Sequence, residues 1–385
     1  MLRPDGRGRF EPADIQRIQV VDAYEEAGIE LEHIAQAIAQ RRMSFEHTDR
    51  IYPEPSAPSG RTFGDLVAEQ GARGAALPDV FVALGLPQPA VDSPITEADE
   101  DLLPRFLDAW VAAEGSPEAA IRAARLVGDA TRRAVEGWVA LFLETTDLPA
   151  EYMAEMSLDE LRPRLLEPAT RVASLLEPLT VWLVRRHLVR TLNDVNVESM
   201  EVSLDVHGLK ARPAADPPSI VFADMSGFTR LTEEFGDEVA ARRASTLSRI
   251  ASAAAAAHGG RLVKQLGDGV MLAFDGIGDG VGAAGALRVS AAAAGLPALH
   301  TGISAGPVIA RDGDYFGRTV NRAARISGVA GPDEILVDET VARAVGTVAV
   351  VPVRARAMKG LGKGVRLFRL EVPAPADSPT APARG

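Results

Sequence analysis

The spacing of apolar positions changes character partway along the chain. From Pro12 to Asn193 they recur at three- and four-residue intervals, as on one face of an α-helix. Ile15, Ile18 and Tyr24, then Leu31, Ile34, Ala35 and Ile38, predict two short helices parted by Gly28, with Pro12 in a first turn. A proline-rich connector, Tyr52 to Gly60, leads to helical segments at 62–70, 77–84 and 97–113, punctuated by glycine and proline. Ser116-Pro117-Glu118 supplies a cap and an N-terminal proline for a helix reaching about residue 145, striped by Ile121, Ala124, Leu126, Val135, Val139 and Phe142. Another helix is predicted from Pro168 to Asn193. Val195 to Val206 alternates weakly and reads as a linker strand, and the prolines within Lys210 to Pro218 mark a boundary.

Beyond Pro218 the apolar runs are short and continuous, as in buried strands. Ser219 to Ala223 runs into Asp224 and then turns through Ser226 and Gly227. Leu262 to Leu266 and Val270 to Phe274 flank Gly267-Asp268-Gly269, which predicts a hairpin with Asp268 at its tip. Helices are expected at Asp237–Ala257, ended by His258-Gly259-Gly260, and at Gly278–Ala293. A strand from Leu299 to Ile309, a loop and helix from Asp314 to Gly328, a strand at 334–337 and a helix at 340–345 follow. A closing hairpin joins 348–357 with 365–370. The order β-α-β-β-α-β, extended at its end, predicts an α/β sandwich on a mixed sheet, and the Pro/Ala-rich tail from Pro373 reads as disordered.

A length of 385 residues suggests two domains, and a hydrophobic content of 46% is enough for a core. The net charge of -12 and pI near 5.1 argue against a nucleic-acid or anionic-membrane footprint. The Ile15–Ile38 helix pair lacks the basic cluster that a DNA-binding helix-turn-helix needs. With no cysteine, disulfides, thiolate catalysis and cysteine zinc sites are excluded. The most apolar helix, Val172 to Val189, is interrupted by Glu177, Pro178 and Arg185, so no membrane span is expected. Residues 1–10 lack the apolar core of a signal peptide. A cytoplasmic location is the expectation. His33, His47 and His187 carry the side chain best suited to pH sensing but read best as ordinary surface histidines.

Two carboxylates at neighbouring strand ends can bind hard cations, which prefer oxygen ligands and complete their shells with substrate phosphates. Two such ions about 4 Å apart would clamp the attacking and leaving oxygens of a phosphoryl or nucleotidyl transfer. The segment Met225–Thr229 offers backbone N–H groups beside Gly227, with Phe228 and Thr229 as candidate phosphate contacts. Lys359, with Lys363, lies in the turn of the closing hairpin, within reach of a triphosphate.

The segments FADMSGFT, KQLGDG and DYFGRTVNRAAR, in that order, closely resemble the catalytic domain of class III nucleotide cyclases over about residues 215–372. The helical half resembles the regulatory region of soluble bacterial members. The resemblance implies an all-α regulatory domain with linker (1–210), an α/β, ferredoxin-like, palm-type catalytic domain (211–372) and a tail (373–385). It implies that Asp224 and Asp268 hold two Mg²⁺ or Mn²⁺ ions. Lys264 and Asp314 would read the adenine of ATP, where guanylyl cyclases place glutamate and a small or thiol residue. Asn321 would orient the ribose and Arg325 would stabilise the transition-state phosphate. The family builds its site between two chains, so a homodimer producing 3′,5′-cyclic AMP and pyrophosphate is expected, with a small molecule or protons as regulator. A guanylyl cyclase and a nucleotide-binding module without turnover are the rival readings. The chain departs from many family members at His300, where they carry an arginine.

Overall fold

A computed structural model describes residues 12–45, 50–52, 56–114, 116–146, 155–211, 216–345, 349–353 and 366–371. The chain divides into two compact units, Met1–Met200 and Glu201–Gly385.

The first unit is dominated by helices: α1 (Pro12–Glu26), α2 (Leu31–Ala39), α3 (Phe63–Glu69), α4 (Leu77–Ala83), α5 (Glu97–Glu114), α6 (Pro117–Thr146) and α7 (Leu158–Leu161). Phe63, Leu66, Leu77, Val80, Leu103, Leu107, Ala120 and Ala124 form its buried core. A small sheet of β1 (Pro58–Thr62) and β2 (Pro94–Thr96), absent from the sequence-based expectation, pairs part of the proline-rich connector. Each strand ends on a threonine that caps the next helix. The Thr62 hydroxyl accepts from the Asp65 N–H at 3.2 Å while the Asp65 carboxylate accepts from the Thr62 N–H at 2.9 Å, and Thr96 and Asp99 repeat the exchange.

Helix α8 runs unbroken from Glu167 to Val206, which corrects the reading of 195–206 as a strand. Leu188, Val195 and Val202 continue a seven-residue spacing, and neither proline nor glycine intervenes before Gly208, whose positive φ of 66° suits a helix end. With no partner strand, period-two alternation alone cannot hold an extended segment.

The second unit is built on a seven-stranded sheet. Its strands are β3 (Ser219–Met225), β4 (Arg261–Leu266), β5 (Gly269–Phe274), β6 (Leu299–Ala305), β9 (Ile335–Asp338), β10 (Ala349–Val353) and β11 (Leu367–Glu371), in the spatial order β10-β11-β9-β6-β3-β5-β4. Among the described residues only β6 and β9 pair in parallel, so the sheet is mixed as expected. Helices α9 (Phe228–Phe235), α10 (Asp237–Ala257), α11 (Ile277–Ala293), α12 (Arg318–Ser327) and α13 (Glu339–Ala344) complete the unit.

Central strand β3 alternates between two cores. Val221, Ala223 and Met225 join Leu247 and Ala251 of α10 and Ala284 and Leu287 of α11, whereas Ile220 and Phe222 meet Val320 and Ala323 of α12. Helix α12 lies directly on the backbone of β6. A Cβ at Gly302 would fall 2.2 Å from the Ser327 nitrogen, so only glycine permits this approach.

The strand expected from Leu299 to Ile309 stops at Ala305, because Gly306 takes φ 147° and Pro307 follows. The chain then makes a separate ribbon, β7 (Ile309–Arg311) with β8 (Asp314–Phe316). Asp312 (φ 55°) and Gly313 (φ 74°) form its turn. The predicted turn containing Lys359 and Lys363, and the tail from Pro373, lie outside the described residues.

Candidate active site

Asp224 stands one residue from the end of β3, on the α12 side, and its ladder partners are Gly269 of β5 and His300 of β6. Asp268 occupies the β4–β5 turn, whose Gly267 takes φ 64°. The Met225 N–H donates to the Asp268 carbonyl at 3.2 Å, which pins the turn beside the strand end. The two predicted metal-binding carboxylates are thereby brought together. Burial, and next the negative charge of Asp268, push the Asp224 carboxyl above the ordinary carboxylate range. A hydrogen bond from Ser327 and the nearby His300 pull the other way.

The donor set fits a divalent ion. Two facing carboxylates repel one another, and a cation would remove that cost. Among the described residues no group of three or more histidine, aspartate or glutamate side chains gathers into a closed metal cage. A two-carboxylate site leaves coordination positions for water and phosphate, as Mg²⁺ and Mn²⁺ use in phosphoryl-transfer sites.

Lys264 and Asp314, fifty positions apart in sequence, form an ion pair. A register shift between Leu262 and Lys264 bulges β4 at the lysine, a device that re-aims a side chain. Asp314 opens β8, and its other oxygen accepts from the Tyr315 N–H at 2.7 Å. Arg261 hydrogen-bonds the Tyr315 hydroxyl and lies 5.3 Å from the ring centroid, which ties β8 to β4 a second time.

Asn321 and Arg325 share the exposed face of α12 one turn apart. Phe228 and Thr229 form the first turn of α9 behind Gly227, which takes the left-handed φ of 67°. The Phe228 ring packs on the core, so its backbone rather than its side chain is presented. Not all the N–H groups expected here are open: those of Met225 and Ser226 donate to the carbonyls of Asp268 and Ala298. His300 Nδ1 lies 2.7 Å from the Ala330 carbonyl, which engages that nitrogen within the fold.

Reading the sequence missed Ser327, whose hydroxyl donates towards Asp224, and the β7–β8 ribbon that carries Asp314. Signals for both exist: a serine on the mostly apolar buried face of α12, and the Asp312-Gly313 dipeptide typical of a tight hairpin.

No family model matches the chain. An adenylate cyclase of Streptomyces coelicolor is 33% identical over 250 residues, covering 64% of this chain and 62% of that protein. One from Streptomyces griseus is 33% identical over 253 residues, covering 65% and 59%. The chain thus spans less than two thirds of the length of these curated relatives. A solved structure of an adenylate/guanylate cyclase/hydrolase from Silicibacter pomeroyi is 26% identical, covering 41% of this chain and 96% of that one, with a TM-score of 0.37.

Proposed function

We propose that the chain, similar to adenylate cyclases of two Streptomyces species, carries a class III nucleotide cyclase catalytic domain and is an adenylyl cyclase, working as a homodimer, that converts ATP to 3′,5′-cyclic AMP and pyrophosphate. The observation that carries this reading is the meeting of Asp224 and Asp268 at one end of the sheet.

Asp224 and Asp268 would hold two Mg²⁺ or Mn²⁺ ions, which when bound supply Lewis-acid activation of the ribose 3′-hydroxyl and neutralise triphosphate charge. The 3′-oxygen bonds to the α-phosphorus as the α–β phosphoanhydride breaks. Pyrophosphate leaves with the electron pair, and the hydroxyl proton passes to solvent. Lys264 donates to adenine N1 and Asp314 accepts from the exocyclic amine; guanine presents the reverse pattern, so the pair favours ATP. Asn321 orients the ribose, and the guanidinium of Arg325 meets the charge that grows on the transferring phosphate. N–H groups at the start of α9, at Phe228 and Thr229, lie ready for phosphate, and Lys359 is assigned to the same task. One protomer supplies Asp224 and Asp268, and its partner supplies Lys264, Asp314, Asn321 and Arg325.

The test is incubation of the purified chain with ATP or GTP and each metal, followed by separation of the cyclic products. Cyclic AMP in excess is expected, and Lys264→Glu should narrow the preference. Cyclic GMP in excess, or ATP binding without turnover, would sink the reading.

Residues 1–210 are assigned the role of a regulatory domain, and 211–372 that of the catalytic domain. Supporting a small-molecule regulator, the helical half holds an apolar cavity of about 710 Å³ lined by residues including Trp138, Phe142, Leu165, Val172 and Ala173. Filling it with Ala173→Trp in the full chain should change basal turnover at saturating ATP; an unchanged rate counts against that role. Among the described residues no helix is long and apolar enough to cross a membrane.

A further inference from the structure

We propose that Ser327 is a positioning residue that aims the Asp224 carboxylate at its cation and ties it to the helix presenting Asn321 and Arg325. The inference rests on the cyclase reading above.

Ser327 is the last residue of α12 and is wholly buried, at 0% exposure, on a face shared with Thr319, Val320, Ala323 and Ile326. A hydroxyl in such a place costs stability unless it is hydrogen-bonded. Its oxygen lies 2.9 Å from Asp224 Oδ2 and 2.9 Å from the His300 carbonyl oxygen. One hydroxyl has one proton to give, and an ionised carboxylate is the stronger acceptor, so the bond to Oδ2 prevails while Asp224 is charged. The other oxygen is set by shape. A Cβ at Gly269 would stand 1.8 Å from Asp224 Oδ1, so this carboxylate rests on a glycine backbone on one side and a hydroxyl on the other. Each carboxylate oxygen keeps lone-pair capacity for a cation.

The donor itself is well anchored. Helix α12 sits on Gly302 at a separation that excludes a side chain, and from its middle Arg322 bonds the buried Asp338 at 3.0 Å. Ser327 on the inner face and Asn321 and Arg325 on the outer face therefore move as one body. In the proposed homodimer Asn321 and Arg325 serve one site while Asp224 of the same protomer serves the other. The Ser327–Asp224 bond is then a direct link between the two sites.

The test uses the full chain without nucleotide, with Mn²⁺ binding followed by the electron paramagnetic resonance of the free ion. Wild-type protein should bind Mn²⁺ in a way that Asp224→Ala abolishes. Ser327→Ala should weaken that binding by about tenfold, and Ser327→Thr, which keeps the hydroxyl, should recover most of it. The Mn²⁺ concentration giving half-maximal cyclic AMP formation should shift in parallel, with KM for ATP unchanged at saturating Mn²⁺. If Ser327→Ala melts prematurely, Ser327→Cys, close in size and a weak donor, should show the same loss. Wild-type Mn²⁺ affinity in a folded Ser327→Ala or Ser327→Cys protein overturns the positioning role alone. Absence of Asp224-dependent Mn²⁺ binding in the wild type overturns the metal reading, and this inference with it.

Discussion

Asp338 and Asp224 each lie at the end of a core strand, at opposite ends of the same sheet, and their surroundings differ in kind. Asp338 ends β9, is 2% exposed, and has both oxygens engaged: Oδ1 accepts from the Val341 N–H at 3.0 Å, and Oδ2 accepts from Ser304 Oγ at 2.7 Å and from Arg322 at 3.0 Å. Asp224 receives one hydroxyl, is only half-buried, and faces another carboxylate. A buried carboxylate matched by a cation and a helix N-terminus is structural. One left short of positive charge beside a second acid is poised for a cation that arrives with its ligand. Helix α12 touches both, holding Asp338 through Arg322 and Asp224 through Ser327, so one helix joins the structural end of the sheet to the chemical end.

That contrast can be broken experimentally. The largest effect expected is on turnover in Asp224→Asn, a fall of at least about a thousandfold, equivalent to about 4 kcal/mol of lost charge stabilisation. A smaller loss, measured as cyclic AMP formed per chain, would show that Asp224 does not hold the metal. Asp338→Asn should instead cost about 2 kcal/mol of folding stability by chemical denaturation, because Arg322 and the Val341 N–H lose a charged acceptor. Its metal dependence should stay as in the wild type.

The smallest effect runs in the opposite direction. The native state holds the Asp224 proton more tightly than the unfolded chain does, owing first to burial and then to Asp268. Stability therefore falls as pH rises from the ordinary carboxylate value through the raised one, and above that window the cost is fully present. In chelator, Asp224→Asn avoids this cost. The variant should be slightly more stable than wild type near neutral pH and lose that advantage below the ordinary carboxylate range. A loss of stability near neutral pH, as expected of Asp338→Asn, would place Asp224 in the same class as Asp338.

Much of the catalytic half could be read in advance. The apolar runs ending at Asp224 and flanking Gly267-Asp268-Gly269 are local signals, and the strands and turn fell where those signals put them. Helix α10 kept its predicted bounds, Asp237 to Ala257, because Gly236 and the Gly259-Gly260 pair are strong punctuation. The errors arose where two periods coexist, as at Val195–Val206, or where a short polar ribbon carries little hydrophobic signal, as at 309–316. In the helical half neither the Thr62–Asp65 and Thr96–Asp99 caps, a threonine and an aspartate three apart, nor the pairing of β1 with β2 across 31 intervening residues was read from the sequence.

The sequence alone determined which reactive groups this protein has and, for those beside strong apolar runs and turns such as Asp224 and Asp268, on which kind of element each one sits, since helical period, strand runs and turn residues act over a few positions. Tertiary structure alone decided their company. Lys264 meets Asp314 because a bulged strand lies against a separate ribbon, and Ser327 lies beneath Asp224 because Gly302 lets a helix settle onto the sheet. Both contacts depend on strand order and close packing between distant segments, which no local pattern encodes.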